Sequence, residues 1–182
     1  MIRDCSTQDK DSIYAIVNDA ARAYKGHIPP DRYHEPYMPM EELLAEMRAM
    51  MVFGWEEDGN LLAVMSLQPV KDVTLIRHAY VLTPYQNRGI GTRLLKHIVE
   101  QTGTRRLLVG TWAAATWAVA FYERHGFRTM PDKDELLRTY WQVPERQIET
   151  SVVLGMEIRG TGNRVMGQGF KVKVQGAGAI GH

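Results

Sequence analysis

Apolar positions change their spacing several times along the chain, and each change marks an element. Ile13, Ile16, Val17, Ala20, Ala21 and Tyr24 recur at three and four residues, which is the repeat of one helical face. Ser6 or Thr7 can cap that helix, Asp9 and Asp11 acidify its first turn, and Gly26 ends it. Met1 to Cys5, just before it, reads as a short strand. Pro29, Pro30, Pro36 and Pro39 then punctuate a shaped loop from His27 to Pro39, because proline fixes φ and removes a donor. Met40 to Met50 predicts a second helix, with Leu43, Leu44 and Met47 on its apolar side.

Strands follow. Val52–Glu57 and Leu61–Gln68 flank an Asp58-Gly59 turn signal, and Val73–Leu82 is a third run. Gly89-Ile90-Gly91 opens a helix whose face carries Leu94, Leu95, Ile98 and Val99. Leu107–Thr111 is short and apolar, as a buried strand is. Thr116–His125 predicts a helix with Gly126 at its C-terminal cap. Phe127–Thr129 is extended, Asp134–Trp141 is a short helix, and Ser151–Ile158 is the last strand. Antiparallel strands first and strand–helix–strand units later imply a mixed α/β sheet covered by helices. From Gly160 the chain turns glycine-rich and loses period. Residues 1–158 are therefore expected to form one domain. Residues 159–182 are expected to be a flexible or non-native tail, or to add a strand from Phe170 to Val174.

The 182 residues suit one such domain. Lys plus Arg number 22 against 21 acidic residues, so no overall charge drives the chain to nucleic acid or an anionic membrane. A lone Cys5 excludes an internal disulfide and a cysteine zinc cluster, and no metal is expected. Charges at Arg3, Asp4 and Asp9–Asp11 interrupt any early apolar run. The longest uncharged stretch, Leu107–Tyr122, is sixteen residues, short of the roughly 18 of a membrane span. A cytoplasmic protein without membrane contact is the expectation.

The chemistry concentrates between Ala79 and Leu95. A strand runs into a turn with two glycines, and the turn opens a helix. Free amides of that first turn, with the positive end of the helix dipole behind them, suit a phosphate or pyrophosphate. The nucleotide pattern GxxxxGK[ST] is absent, since Thr92 and Arg93 follow Gly91. The dinucleotide pattern GxGxxG is incomplete, with Leu94 at its third glycine.

Gln86-x-x-Gly89-x-Gly91 closely resembles the acetyl-CoA signature of the GNAT N-acetyltransferase superfamily. Ala118-Val119-Ala120-Phe121-Tyr122-Glu123-Arg124-His125-Gly126-Phe127 resembles the second motif of that family, in the same order and spacing. Ala115 departs from the pattern where an asparagine is frequent, and Pro84 sits one position late. The resemblance implies a central, mixed, mostly antiparallel sheet of six to seven strands with helices on both faces. It implies that the fourth and fifth strands splay and hold the pantetheine arm of acetyl-CoA between them. Backbone groups near Val81 and Thr83 would pair with that arm. Gln86 and the segment Arg88, Gly89, Ile90, Gly91, Thr92 and Arg93 would hold the pyrophosphate, with Lys96, Arg105 and Arg106 nearby. The implied activity is direct acetyl transfer to a small-molecule or peptide amine, and a homodimer is possible. A sensor that binds acyl-CoA without catalysis, or a transferase using another acyl donor, stays open.

Tyr122 resembles the family tyrosine that protonates the departing thiolate. The base is open. His78 is a candidate as an imidazole, but it falls on the opposite strand face from Arg77 and Val81 unless a bulge changes the parity. Arg77 could hold a substrate carboxylate. Tyr33, His34 and Glu35 sit on the proline-rich loop expected beside the acceptor.

Overall fold

A computed structural model describes residues 1–158; the readings of a tail or an added strand in 159–182 lie outside the described residues. Seven strands form one sheet in the order β1-β2-β3-β4-β5-β7-β6. These are β1 (Ile2–Asp4), β2 (Met51–Glu57), β3 (Asn60–Val70), β4 (Val73–Val81), β5 (Arg106–Trp112), β6 (Arg128–Thr129) and β7 (Ser151–Glu157). Only β4 and β5 run parallel; the other five pairings are antiparallel. The expected mixed, mostly antiparallel sheet is what forms.

Helices cover both faces. On one lie α1 (Lys10–Ala20), α2 (Met40–Met47), α5 (Lys133–Leu136) and α6 (Glu145–Glu149); on the other lie α3 (Ile90–Gln101) and α4 (Thr116–Arg124). The predicted periodicity sets these contacts. Ile13, Ile16 and Val17 of α1 are buried with Leu43 of α2, and Leu94, Leu95 and Ile98 of α3 pack on Ile76 and Val109. The first predicted helix changes after Ala20, where Ala21–Tyr24 tightens to a 3₁₀ turn. Leu137–Trp141 widens to a π-turn after α5. The sequence pattern did not signal α6, whose five residues are too few to show a period.

Two irregularities position the site. First, β4 and β5 pair at only three positions, Thr74↔Leu107, Leu75↔Leu108 and Ile76↔Val109, although β4 continues to Val81 and β5 to Trp112. The strands splay beyond Ile76. Second, Val64 pairs with Tyr80 but Ser66 pairs with Arg77, so His78 and Ala79 stand opposite the single residue Met65. That extra residue is a β-bulge, with His78 at φ 49°. Alternation restarts after it. Ala79 and Val81 pack toward α3, while Tyr80 packs toward α1.

Candidate active site

The splay opens into a cleft of about 620 Å³ that passes between β4 and β5. At one end stands the N-terminus of α3. Gly89 occupies its cap at φ 77°, a left-handed conformation that glycine adopts without strain, and no side chain caps the helix. The first backbone bond of α3 runs from the Arg93 amide to the Gly89 carbonyl at 3.1 Å, so the amides of Ile90, Gly91 and Thr92 stay available. A Cβ at Gly89 would meet nothing within 4 Å, so the loop leaves open space there. These are the features a pyrophosphate fits.

Of the sequence candidates, Val81, Gln86, Gly89, Ile90, Gly91, Thr92 and Tyr122 line this cleft together. Gln86 folds back, its side-chain amide donating to the Val81 carbonyl at 3.1 Å. Thr83 is placed differently: its amide donates to the Asp19 carboxylate of α1 at 2.8 Å, which ties the loop to the first helix. Arg88 and Arg93 are held just outside, their guanidinium groups over the rings of Tyr85 (4.9 Å) and Trp55 (5.1 Å). Thr92 Oγ1 lies 3.0 Å from His125 Nε2, and His125 Nδ1 donates to the Phe121 carbonyl at 2.7 Å.

Tyr122 is buried in the wall of the cleft, edge-on to Phe121 and Phe127. Burial raises its hydroxyl well above the ordinary tyrosine range, so it stays protonated at neutral pH. Tyr24 and Tyr80, across the sheet, line the same cleft.

Arg77 and His78 do not line it. The bulge turns both toward α2, where they meet Glu46, a residue not among the sequence candidates. His78 Nε2 bonds Glu46 Oε2; Arg77 Nη2 donates to the same oxygen at 3.3 Å, and Arg77 Nη1 donates to Gln68 at 2.9 Å. All three side chains are buried. Burial pushes the Glu46 carboxyl upward, but the His78 hydrogen bond and the charges of His78 and Arg77 outweigh it, and the net direction is down. Glu46 is therefore a carboxylate, and His78 donates to it. Tyr33, His34 and Glu35 also lie outside the cleft. Tyr33 donates to Glu35 (3.0 Å), Lys25 pairs with Glu35 (3.1 Å), and His34 Nδ1 donates to the Pro36 carbonyl (2.6 Å).

A profile described as the acetyltransferase (GNAT) family matches residues 11–127, and the chain belongs to that family. Solved structures share the fold. The ribosomal-protein-S18-alanine N-acetyltransferase of Escherichia coli is 19% identical at a TM-score of 0.64, covering 91% of this chain and 98% of that one. The PaiA N-acetyltransferase of Thermoplasma acidophilum, in complex with coenzyme A, is 14% identical at 0.62, covering 86% and 98%. A GNAT acetyltransferase of Brucella melitensis, in complex with acetyl-CoA, is 24% identical at 0.53, covering 70% and 82%. No functionally curated protein matches the chain closely enough to count as a relative.

Proposed function

We propose that residues 1–158 form a single catalytic domain that moves an acetyl group from acetyl-CoA to a primary amine by direct attack. One observation carries the reading: a single cleft joins the uncapped N-terminus of α3 to the split between β4 and β5, with Tyr122 in its wall. Bound acetyl-CoA would supply the activated thioester. The amides of Ile90, Gly91 and Thr92 hold the pyrophosphate, and Arg88 and Arg93 add positive charge at the mouth. The open edges of β4 and β5 beyond Ile76 and Val109 receive the pantetheine arm. Tyr122 keeps its proton and donates it to the sulfur as the C–S bond breaks.

The experiment is thermal unfolding with acetyl-CoA. At 100 times Kd the ligand adds about 2.7 kcal/mol, which for a domain of this size is a rise of roughly 5–11 °C in Tm. No rise in well-folded protein rejects the cofactor assignment.

Tyr122→Phe separates catalysis from binding. Loss of a general acid should lower kcat by about 100-fold, while acetyl-CoA affinity, read by titration calorimetry, stays within about threefold. Unchanged turnover in the variant would favour a structural tyrosine. Binding without any turnover in the parent protein would favour an acyl-CoA sensor.

A further inference from the structure

The far end of the cleft differs in chemistry from the phosphate end. Beyond the split it is lined by Ala20, Ala23, Tyr24, Tyr80, Trp117 and Ala118. Among the described residues lining the cleft, the charged or basic side chains are Arg124 and His125 alone. Both belong to the end of α4 beside Thr92, and Trp117 stands at its start, seven residues or about 10 Å away along the axis. Charges flanking the far end are occupied with one another. Asp19 accepts from Thr83 and lies 3.6 Å from Arg22, and Lys25 pairs with Glu35.

Rings dominate instead. Trp117 is 41% exposed, and among the described residues only Met1 is a more exposed large apolar side chain. It stacks on Tyr24 at 6.0 Å and meets His27 edge-on at 5.3 Å. Past His27 lies a second hollow of about 370 Å³, walled by Ile28, Pro29, Trp112 and Ala113.

We infer that the acceptor is a monoamine with an aromatic or apolar body, of the arylalkylamine kind, rather than a polyamine, an amino acid or a charged peptide. The inference rests on acetyl transfer from acetyl-CoA at this site. A second ammonium or a carboxylate drawn in beside Tyr24 and Tyr80, both buried, would find no counter-ion among these lining residues. An aromatic body gains burial against Tyr24 and Trp117. The same surroundings help the chemistry. An ammonium entering an uncharged, ring-lined site loses solvation, so its pKa falls and the neutral, nucleophilic form becomes more populated. Its proton leaves to water. The amine nitrogen then bonds to the thioester carbonyl carbon, the C–S bond breaks, and the sulfur takes the proton of Tyr122. The second proton of the new amide nitrogen departs to solvent, and solvent returns one to Tyr122.

The test compares 2-phenylethylamine, spermidine and an alanine-initiated peptide as acceptors, with CoA thiol release and product mass as readouts. The expected kcat/KM for 2-phenylethylamine exceeds each of the others at least about tenfold. Trp117→Ala should raise KM for 2-phenylethylamine about tenfold and change kcat little. Ala23 is exposed, so Ala23→Glu should fold normally and supply a counter-ion, moving the preference about tenfold toward spermidine. Spermidine or the peptide reacting as well as 2-phenylethylamine overturns the inference, as does a Trp117→Ala effect equal for all three. Failure of acetyl-CoA to raise Tm would instead remove the acetyl-transfer reading beneath it, so the two failures are distinct.

Discussion

Gly89→Asp is expected to weaken acetyl-CoA binding by about 100-fold or more, roughly 2.8 kcal/mol at 1.4 kcal/mol per decade. Gly89 holds φ 77° at the cap of α3, beside three amides with no partner inside the helix. Aspartate tolerates that conformation better than most residues, so the loop should survive with little strain. Its carboxylate, however, would stand where the phosphates are proposed to bind. Like charges about 4 Å apart repel by about 1 kcal/mol in water and about 4 kcal/mol at an effective dielectric of 20. Gly89→Asn supplies the control. It has nearly the same shape and the same tolerance of positive φ, without the charge. Calorimetric titration of the two variants should separate them by about tenfold or more. Equal affinities would mean that the phosphates do not sit at this cap.

Glu46→Ala is expected to cost the most stability. Glu46 is the carboxylate between buried Arg77 and His78. Removing one partner of such a cluster leaves uncompensated buried charge and typically costs about 3–5 kcal/mol. For a domain of this size Tm should fall by roughly 6–20 °C at pH 7. The acid side gives a second signature. The Glu46 carboxyl titrates below its ordinary 4.5 in the folded chain, so on acidification the unfolded chain takes up the proton first. Its stabilisation is complete above pH 4.5 and is lost as pH falls through the lower folded value. Glu46→Gln removes this component. The difference in Tm between parent and Glu46→Gln should therefore shrink on acidification below about pH 4.5. A constant difference from pH 7 to pH 3 would mean that the carboxylate charge is not what matters.

Legibility from sequence followed the range of the interactions. The strand–turn–helix around Gly89 is a local construction, and its residues announce it within twenty positions. Helix faces in α1 and α3 were equally readable, because a 3.6-residue period is a local property. The bulge at His78 was not. Its cause is a pairing with Met65 on another strand, and alternation counted along β4 alone carries no sign of it. This single inserted residue decides that Arg77 and His78 face the same helix, and that Val81 faces away from Arg77. Glu46 escaped for a related reason. It meets His78 from 32 positions away, across the β2–β3 hairpin and the turn into β4. A glutamate on a short amphipathic helix reads as solvent-facing until its neighbours are known. The loop residues Tyr33, His34 and Glu35 had suitable chemistry, but Tyr33 and Lys25 bond Glu35 and His34 bonds the Pro36 carbonyl, and none reaches the cleft.

The three-pair contact between β4 and β5 has a mechanical meaning. It divides the sheet into two leaves, β1 to β4 and β5 with β7 and β6, joined edge to edge by a spine of three residue pairs. Each leaf is built on seven-pair antiparallel ladders, β2 with β3 and β3 with β4 in one and β5 with β7 in the other, while the spine is short and lies at one end of the opening. Among the joints between the long strands β2, β3, β4, β5 and β7, the spine opposes bending with the fewest residue pairs. A molecule lying between the leaves acts as a strut, so occupancy at the centre is felt as stiffness at the outer strands.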